Sequence, residues 1–120
     1  MHCHILFKAT LDICNPLLTN IQFGSSFLVE WIKVNNLNII NQPIMHKFNS
    51  QKNCLDKPGG ISGIALLCES HVTIHTYPET QTIYGDLFSC KYLDKKTNID
   101  FINKYKINSE NLDFRLILRD

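Results

Sequence analysis

No stretch of this chain is apolar for long enough to cross a bilayer. Runs such as GIALLC at 63–68 fall far short of the ~20 residues a spanning helix needs. The N-terminus also lacks a charged segment followed by a cleavable apolar one, so a soluble, non-exported, cytoplasmic protein is expected. An excess of charge of one sign is missing as well. Twelve basic and eleven acidic residues, scattered along the chain, give a formal charge of +1. That leaves no basic stripe to track phosphates and no polybasic patch for a membrane surface, so neither nucleic acid nor membrane is an expected partner. Cysteine occurs five times, at positions 3, 14, 54, 68 and 90, but never as a CxxC pair. Neither a disulfide framework nor a zinc ribbon is indicated, and a reducing compartment suits the thiols. Internal repeats and domain boundaries are absent too.

What remains suffices for one core. At 120 residues and 44% hydrophobic content the chain fits a single domain, 1–120, with no need of disulfides or metal. HCHILFKATLD near the start reads as a strand, and Asn15–Pro16 as the turn that follows it. Ser25 and Ser26 are candidate caps for a helix over about 26–36, where Phe27, Leu28, Trp31, Ile32 and Val34 share one side. LNIINQPIMHKF, with Pro43 inside it, reads as an edge or interrupted strand. NSQKNCLDKPGG, at 49–60, reads as a long mobile surface loop. Three β-rich segments follow, ISGIALLCE, SHVTIHTY and TIYGDLFSCKYL, with connections short enough for an antiparallel sheet. Thr97 caps a second predicted helix, with Phe101 and Tyr105 one turn apart, and DFRLILR closes the chain as a strand. The expected fold class is α+β: a two-layer sandwich of a mostly antiparallel sheet with two helices on one face. The other face of such a sheet needs a cover, and a second copy of the chain is the simplest, so a homodimer is expected.

Polar chemistry interrupts the middle strand. In CESHVTIHTYPE, at 68–79, alternation puts His71, Thr73, His75 and Tyr77 on one face and Val72, Ile74 and Thr76 on the other. Paired strand histidines are most often half-exposed polar partners. HVTIH imitates the two-histidine part of a zincin motif, but it lacks the glutamate and is not helical, so no metal is expected. A different chemistry is open to the Glu69–Ser70 bond. A serine hydroxyl can attack its own upstream carbonyl and turn the amide into an ester, given a base and a bond held out of its relaxed geometry. β-Elimination of that ester leaves dehydroalanine at position 70, which hydrolyses to a pyruvoyl group at a new chain terminus.

At this point the spacing becomes specific. Glu69-Ser70-His71, the histidine of IHT five residues after the serine, and the cysteine of GDLFSC twenty residues after it occur together. With GGISGIALL before them, His4 and DIC near the start, and HKF at 46–48, they resemble the prokaryotic class of S-adenosylmethionine decarboxylase proenzymes. That resemblance implies self-cleavage between Glu69 and Ser70 into segments 1–69 and 70–120, with Ser70 becoming a covalent pyruvoyl cofactor. It implies that the pyruvoyl ketone forms a Schiff base with the α-amino group of S-adenosylmethionine, and that the product is the aminopropyl donor for spermidine. By the same resemblance His75 assists self-cleavage, Ser62 supports it, and Cys90 donates the proton that completes decarboxylation, a step a thiol suits near neutral pH. Phe48, Tyr77 and Glu79 match substrate-pocket positions, where a sulfonium and an adenine favour aromatic rings and a carboxylate.

The chain also departs from that pattern. Tyr77 replaces the usual tryptophan, TQTIYG lacks the usual small residues, and the loop after Phe48 is longer. Arginine or ornithine as substrate, and a non-enzymatic regulatory relative, are therefore the alternatives.

Overall fold

The computed structural model describes residues 2–48, 59–105 and 111–120. Most of the 49–60 loop, with Cys54, lies outside the described residues. Among the described residues six strands form one sheet: β1 (His2–Thr10), β2 (Ile44–Lys47), β3 (Ile61–Leu67), β4 (Ser70–Tyr77), β5 (Thr82–Ser89) and β6 (Leu112–Arg119). Their order is β2-β3-β4-β5-β1-β6, and every pairing is antiparallel. Two helices, α1 (Ile21–Val34) and α2 (Lys95–Asn103), complete the α+β sandwich expected from the pattern.

Strand alternation explains the layering. Cys3, Ile5, Phe7 and Ala9 are buried on β1 while the residues between them face outward, and β3, β4 and β5 repeat the pattern. Against that face α1 sets Phe27, Leu28, Trp31 and Ile32, and α2 sets Phe101 and Ile102. The outer face of the sheet keeps Leu6, Ile64, Leu66, Tyr84 and Ile117 at 37–53% exposure.

Both helix starts differ from the expectation, because local caps compete with the sequence's more obvious candidates. α1 begins at Ile21 under Asn20, whose Oδ1 accepts from Phe23 N–H at 3.0 Å, so Ser25 and Ser26 lie inside the helix. Gly24 lies inside α1 where the helix presses on β2 and β3 too closely for a side chain. A Cβ there would stand 2.4 Å from Ile61 Cδ1 and 2.9 Å from Met45 Cε. α2 is capped by Asp94, which accepts from Thr97 N–H at 2.9 Å, so Thr97 is three residues into the turn it was expected to cap.

A buried amide network ties the two helices together. Trp31 Nε1–H donates to Asn98 Oδ1 at 2.7 Å. Asn35 also donates there at 2.9 Å, and Asn98 Nδ2 donates to Asn35 Oδ1 and to the carbonyl of Asp94. Asn98 is fully buried. A buried amide survives only when its donors and acceptors are met, as they are here.

Candidate active site

β3 and β4 join through the shortest kind of hairpin, with Leu67 paired to Ser70 and only Cys68 and Glu69 between them. So tight a reversal forces one residue into the left-handed region, and Glu69 takes it with φ 58°. A residue with a Cβ pays roughly 1–2 kcal/mol for that conformation. The strain sits on the amino side of the Glu69–Ser70 bond.

Ser70 opens β4 on the core-facing side and is 8% exposed. Its Oγ accepts the backbone N–H of Cys90 at 3.1 Å. Cys90 follows directly on β5, and its thiol points back across the turn to the carbonyl of Cys68, 3.9 Å away. Glu69, Ser70 and Cys90, with Ser70 and Cys90 20 residues apart in sequence, are thus gathered at one end of the sheet.

His75 is elsewhere. It lies five residues along β4, about 16 Å at the usual strand rise, and on the outer face rather than the core face. Across the β3–β4 register it meets Ser62, whose Oγ shares a 2.8 Å hydrogen bond with His75 Nδ1. Beside that pair a cleft of about 360 Å³ is lined by His75, Tyr77, Glu79, Thr80 and Tyr84. The rings of Tyr77 and Tyr84 meet edge to face with centroids 5.6 Å apart. Phe48 follows directly on β2, half exposed, with its ring against His46 at 4.6 Å, and is not among the residues lining this cleft. Two clusters therefore occupy opposite ends of β4: the β3–β4 turn with Ser70 and Cys90, and the Ser62–His75 pair with the aromatic cleft.

Between them the outer face carries a third grouping, which strand spacing alone did not reveal. His4, His71 and Asp86 bring one donor atom each to within 4.8 Å of one another. His4 Nε2 and His71 Nε2 both address Asp86 Oδ2, at 2.8 and 3.4 Å, and Thr73 Oγ1 donates to Asp86 Oδ1. Partial burial of Asp86 raises its pKa. The hydrogen bonds from Thr73 and His4 and the nearby imidazoles outweigh that and hold the carboxyl below its ordinary 3.8. Two histidines and a carboxylate could hold a divalent cation, yet the His4–Asp86 hydrogen bond and the His71–Asp86 contact already account for their positions. The one local signal was an acid at 86 on the same strand face as Tyr84 and Phe88. Its partners arrive from β1 and β4, which no local spacing relates. Tyr84 escaped notice for a similar reason, since only the β4–β5 register sets it opposite His75.

A single antiparallel sheet backed by two helices, with serine, thiol and strained glutamate at one hairpin, defines a narrow structural class. The S-adenosylmethionine decarboxylase family model matches residues 8–120, and the chain belongs to that family. It is 38% identical over 88 residues to the S-adenosylmethionine decarboxylase proenzyme of Thermodesulfovibrio yellowstonii, covering 72% of this chain and 57% of that protein. The proenzyme of Archaeoglobus fulgidus is 43% identical over 54 residues, covering 43% of this chain and 48% of the relative. The matches thus span about half the length of these curated relatives. The crystal structure of the adenosylmethionine decarboxylase from Aquifex aeolicus superimposes with a TM-score of 0.75 at 24% identity, covering 99% of this chain and 90% of that one, and shows the same fold.

Proposed function

We propose that this chain is the precursor of a pyruvoyl-dependent decarboxylase of S-adenosylmethionine, feeding aminopropyl transfer to spermidine in the cytoplasm. In this reading it cuts itself between Glu69 and Ser70 and acts as a homodimer. The observation that carries the reading is the β3–β4 turn: a left-handed Glu69 next to a serine whose hydroxyl is already held, with a thiol beside it.

The Ser70 hydroxyl adds to the carbonyl of Glu69, and the C–N bond between them breaks as the C–O bond forms. Glu69 enters the reaction with roughly 1–2 kcal/mol of backbone strain, which is released once the bond on its carboxyl side is cut. The Cys90 N–H on Ser70 Oγ steadies negative charge on that oxygen as its proton leaves. Loss of the α-proton of Ser70 and departure of the Glu69 carboxylate then free the two segments, 1–69 and 70–120. Position 70 is nearly buried, and the Cys90 N–H that Ser70 Oγ meets is a donor for the oxygen of a pyruvoyl group formed there. When present, that group supplies a carbonyl electron acceptor for release of carbon dioxide. The Cys90 thiol stands within a turn of it and holds the proton delivered to the substrate carbon.

The Ser62–His75 pair is too far along β4 to serve the same chain's Ser70. Packing the outer sheet faces of two copies against each other in antiparallel fashion would set the partner's His75 over the end of the sheet that carries the Glu69–Ser70 turn, and would also cover Leu6, Ile64, Leu66 and Ile117. In this reading the site is shared between copies, with the turn rather than the buried Ser70 side chain facing the partner. Tyr77 and Tyr84, with Glu79 at the rim, offer ring faces for adenine and sulfonium and a carboxylate for a ribose, which favours S-adenosylmethionine over arginine or ornithine.

The test is denaturing mass analysis of the purified chain together with carbon dioxide release from carboxyl-labelled S-adenosylmethionine, arginine and ornithine. Two pieces, the second beginning with pyruvoyl, and release from S-adenosylmethionine alone are expected. Release from a basic amino acid instead would move the substrate. An uncut chain inert towards all three would make it a non-enzymatic relative.

A further inference from the structure

Cys68 has no part in the chemistry just described, yet it is the residue whose carbonyl the Cys90 thiol touches. Extending the β4–β5 register two residues beyond His71–Phe88 puts Cys90 beside Glu69, the chain neighbour of Cys68. A carbonyl oxygen lies about 2.4 Å from its own Cα by standard bond lengths. With the 3.9 Å contact, the Cys90 sulfur is then no more than about 6 Å from the Cα of Cys68. That span is one arm of the bridge only: the Cα atoms of disulfide partners stand roughly 4.4–6.8 Å apart and their Cβ atoms about 3.5–4.5 Å, so closure takes rotation of the Cys68 side chain and a settling of the turn. Both residues lie outside regular strand, Cys68 in a two-residue turn and Cys90 in the bend after β5, where such settling is easiest. Cys68 is exposed and Cys90 half-buried, which admits a small oxidant. Of the other described cysteines, Cys3 is buried in the core and Cys14 lies beyond the far end of β1.

We propose that Cys68 and Cys90 form a reversible disulfide that switches the enzyme off under a hydroperoxide. The thiolate of one cysteine attacks the peroxide oxygen, giving a sulfenic acid and releasing water or an alcohol. The second thiol attacks that sulfur, the S–S bond forms and a second water leaves. Two thiols are oxidised by two electrons and the hydroperoxide is reduced by two. Cys90 then has no proton to deliver, so decarboxylation stops although the pyruvoyl group is untouched. This rests on the role given to Cys90 above. The two cysteines also fall on opposite sides of the Glu69–Ser70 bond, so in the processed protein the disulfide joins the two segments covalently.

The experiment treats the processed full-length protein and its Cys68→Ser variant with hydrogen peroxide, then reads denaturing mass without reductant and activity before and after dithiothreitol. For the unaltered protein the expected result is one species at the summed mass of both segments less about 2 Da, with activity down at least tenfold and restored by dithiothreitol. Cys68→Ser should start with unchanged activity, never show the joined species, and lose activity that dithiothreitol does not restore, because unprotected Cys90 oxidises further. Separate segments after peroxide, or a joined species persisting in Cys68→Ser, would overturn the proposal. If the chain is not processed, the same 2 Da loss in the intact chain, abolished by Cys68→Ser, still supports the disulfide while the self-cleavage reading fails.

Discussion

Ser70 and Cys90 meet at the shared end of β4 and β5, where the backbone N–H of Cys90 donates to Ser70 Oγ at 3.1 Å while the Cys90 thiol reaches over the turn to the carbonyl of Cys68. One residue therefore contacts both sides of the Glu69–Ser70 bond, by its backbone on one side and its side chain on the other. Substitutions separate these roles. Ser70→Ala leaves an uncut chain of full mass. Cys90→Ala keeps the backbone N–H and still cuts, but carbon dioxide release falls by about 10²–10⁴, the usual contribution of a positioned acid. A Cys90→Ala protein that decarboxylates at the normal rate would remove the thiol from the mechanism.

The left-handed Glu69 makes a prediction about rate. Glu69→Gly relieves roughly 1–2 kcal/mol of backbone strain. If most of that strain is lost from the approach to the cleavage barrier, self-cleavage slows by about five- to tenfold. The time course of segment appearance, followed by gel from freshly made protein, measures this. Equal or faster cleavage would show that strain at 69 does not assist.

The separation of His75 from Ser70 leads to a complementation test. Ser70→Ala and His75→Ala chains, each expressed alone, stay uncut. Made together they form mixed dimers in which the His75→Ala chain is served by an intact histidine from its partner. Cleavage then appears in the mixture, confined to the His75→Ala chain. If none appears, the site is not shared in this way.

Asp86 ties β5 to His4 of β1 and to His71 and Thr73 of β4. A carboxyl whose pKa is lower in the folded chain than in the unfolded one stabilises the fold fully above the unfolded value. That contribution disappears as pH falls through the lower folded value. Stability should therefore decline in acid below about pH 4, near the ordinary carboxyl value. Asp86→Asn should make that acid limb shallower while lowering stability at neutral pH by about 1–3 kcal/mol for the lost charged hydrogen bonds. Urea unfolding at pH 7 and pH 3 reads both effects.

Asn98→Leu removes the shared acceptor of Trp31 and Asn35: the buried Trp31 indole N–H loses its partner, while half-buried Asn35 keeps its bond to the Trp31 carbonyl. At about 1–3 kcal/mol for an orphaned buried group, a loss of that size is expected, seen as a lower urea midpoint at unchanged slope. An unaffected midpoint would mean that the helices hold their positions without this network.

Much of the fold can be read along the chain because its signals are local. The period-two runs at 61–67, 70–77 and 82–89 become β3, β4 and β5. Pro43 marks the edge where β2 begins, since a proline cannot supply a ladder donor. Helix starts were less legible. Asn20 and Asp94 compete with nearby serines and threonines, and only packing decides which one the helix uses. Gly24 looks like a break in sequence but is a close-contact residue, because the space it leaves is filled by side chains from strands far along the chain.

The residue types at the β3–β4 turn and their order along the chain belong to the sequence by itself, as do the two faces of β4, because side-chain alternation follows from backbone geometry. The tertiary structure alone decided that Ser70 and Cys90 share one end of the sheet while Ser62 and His75 share the other. It alone gathered His4, His71 and Asp86. Strand order and register come from hairpin lengths and long connections closed over a common core, and those couplings join residues that no window along the chain contains together.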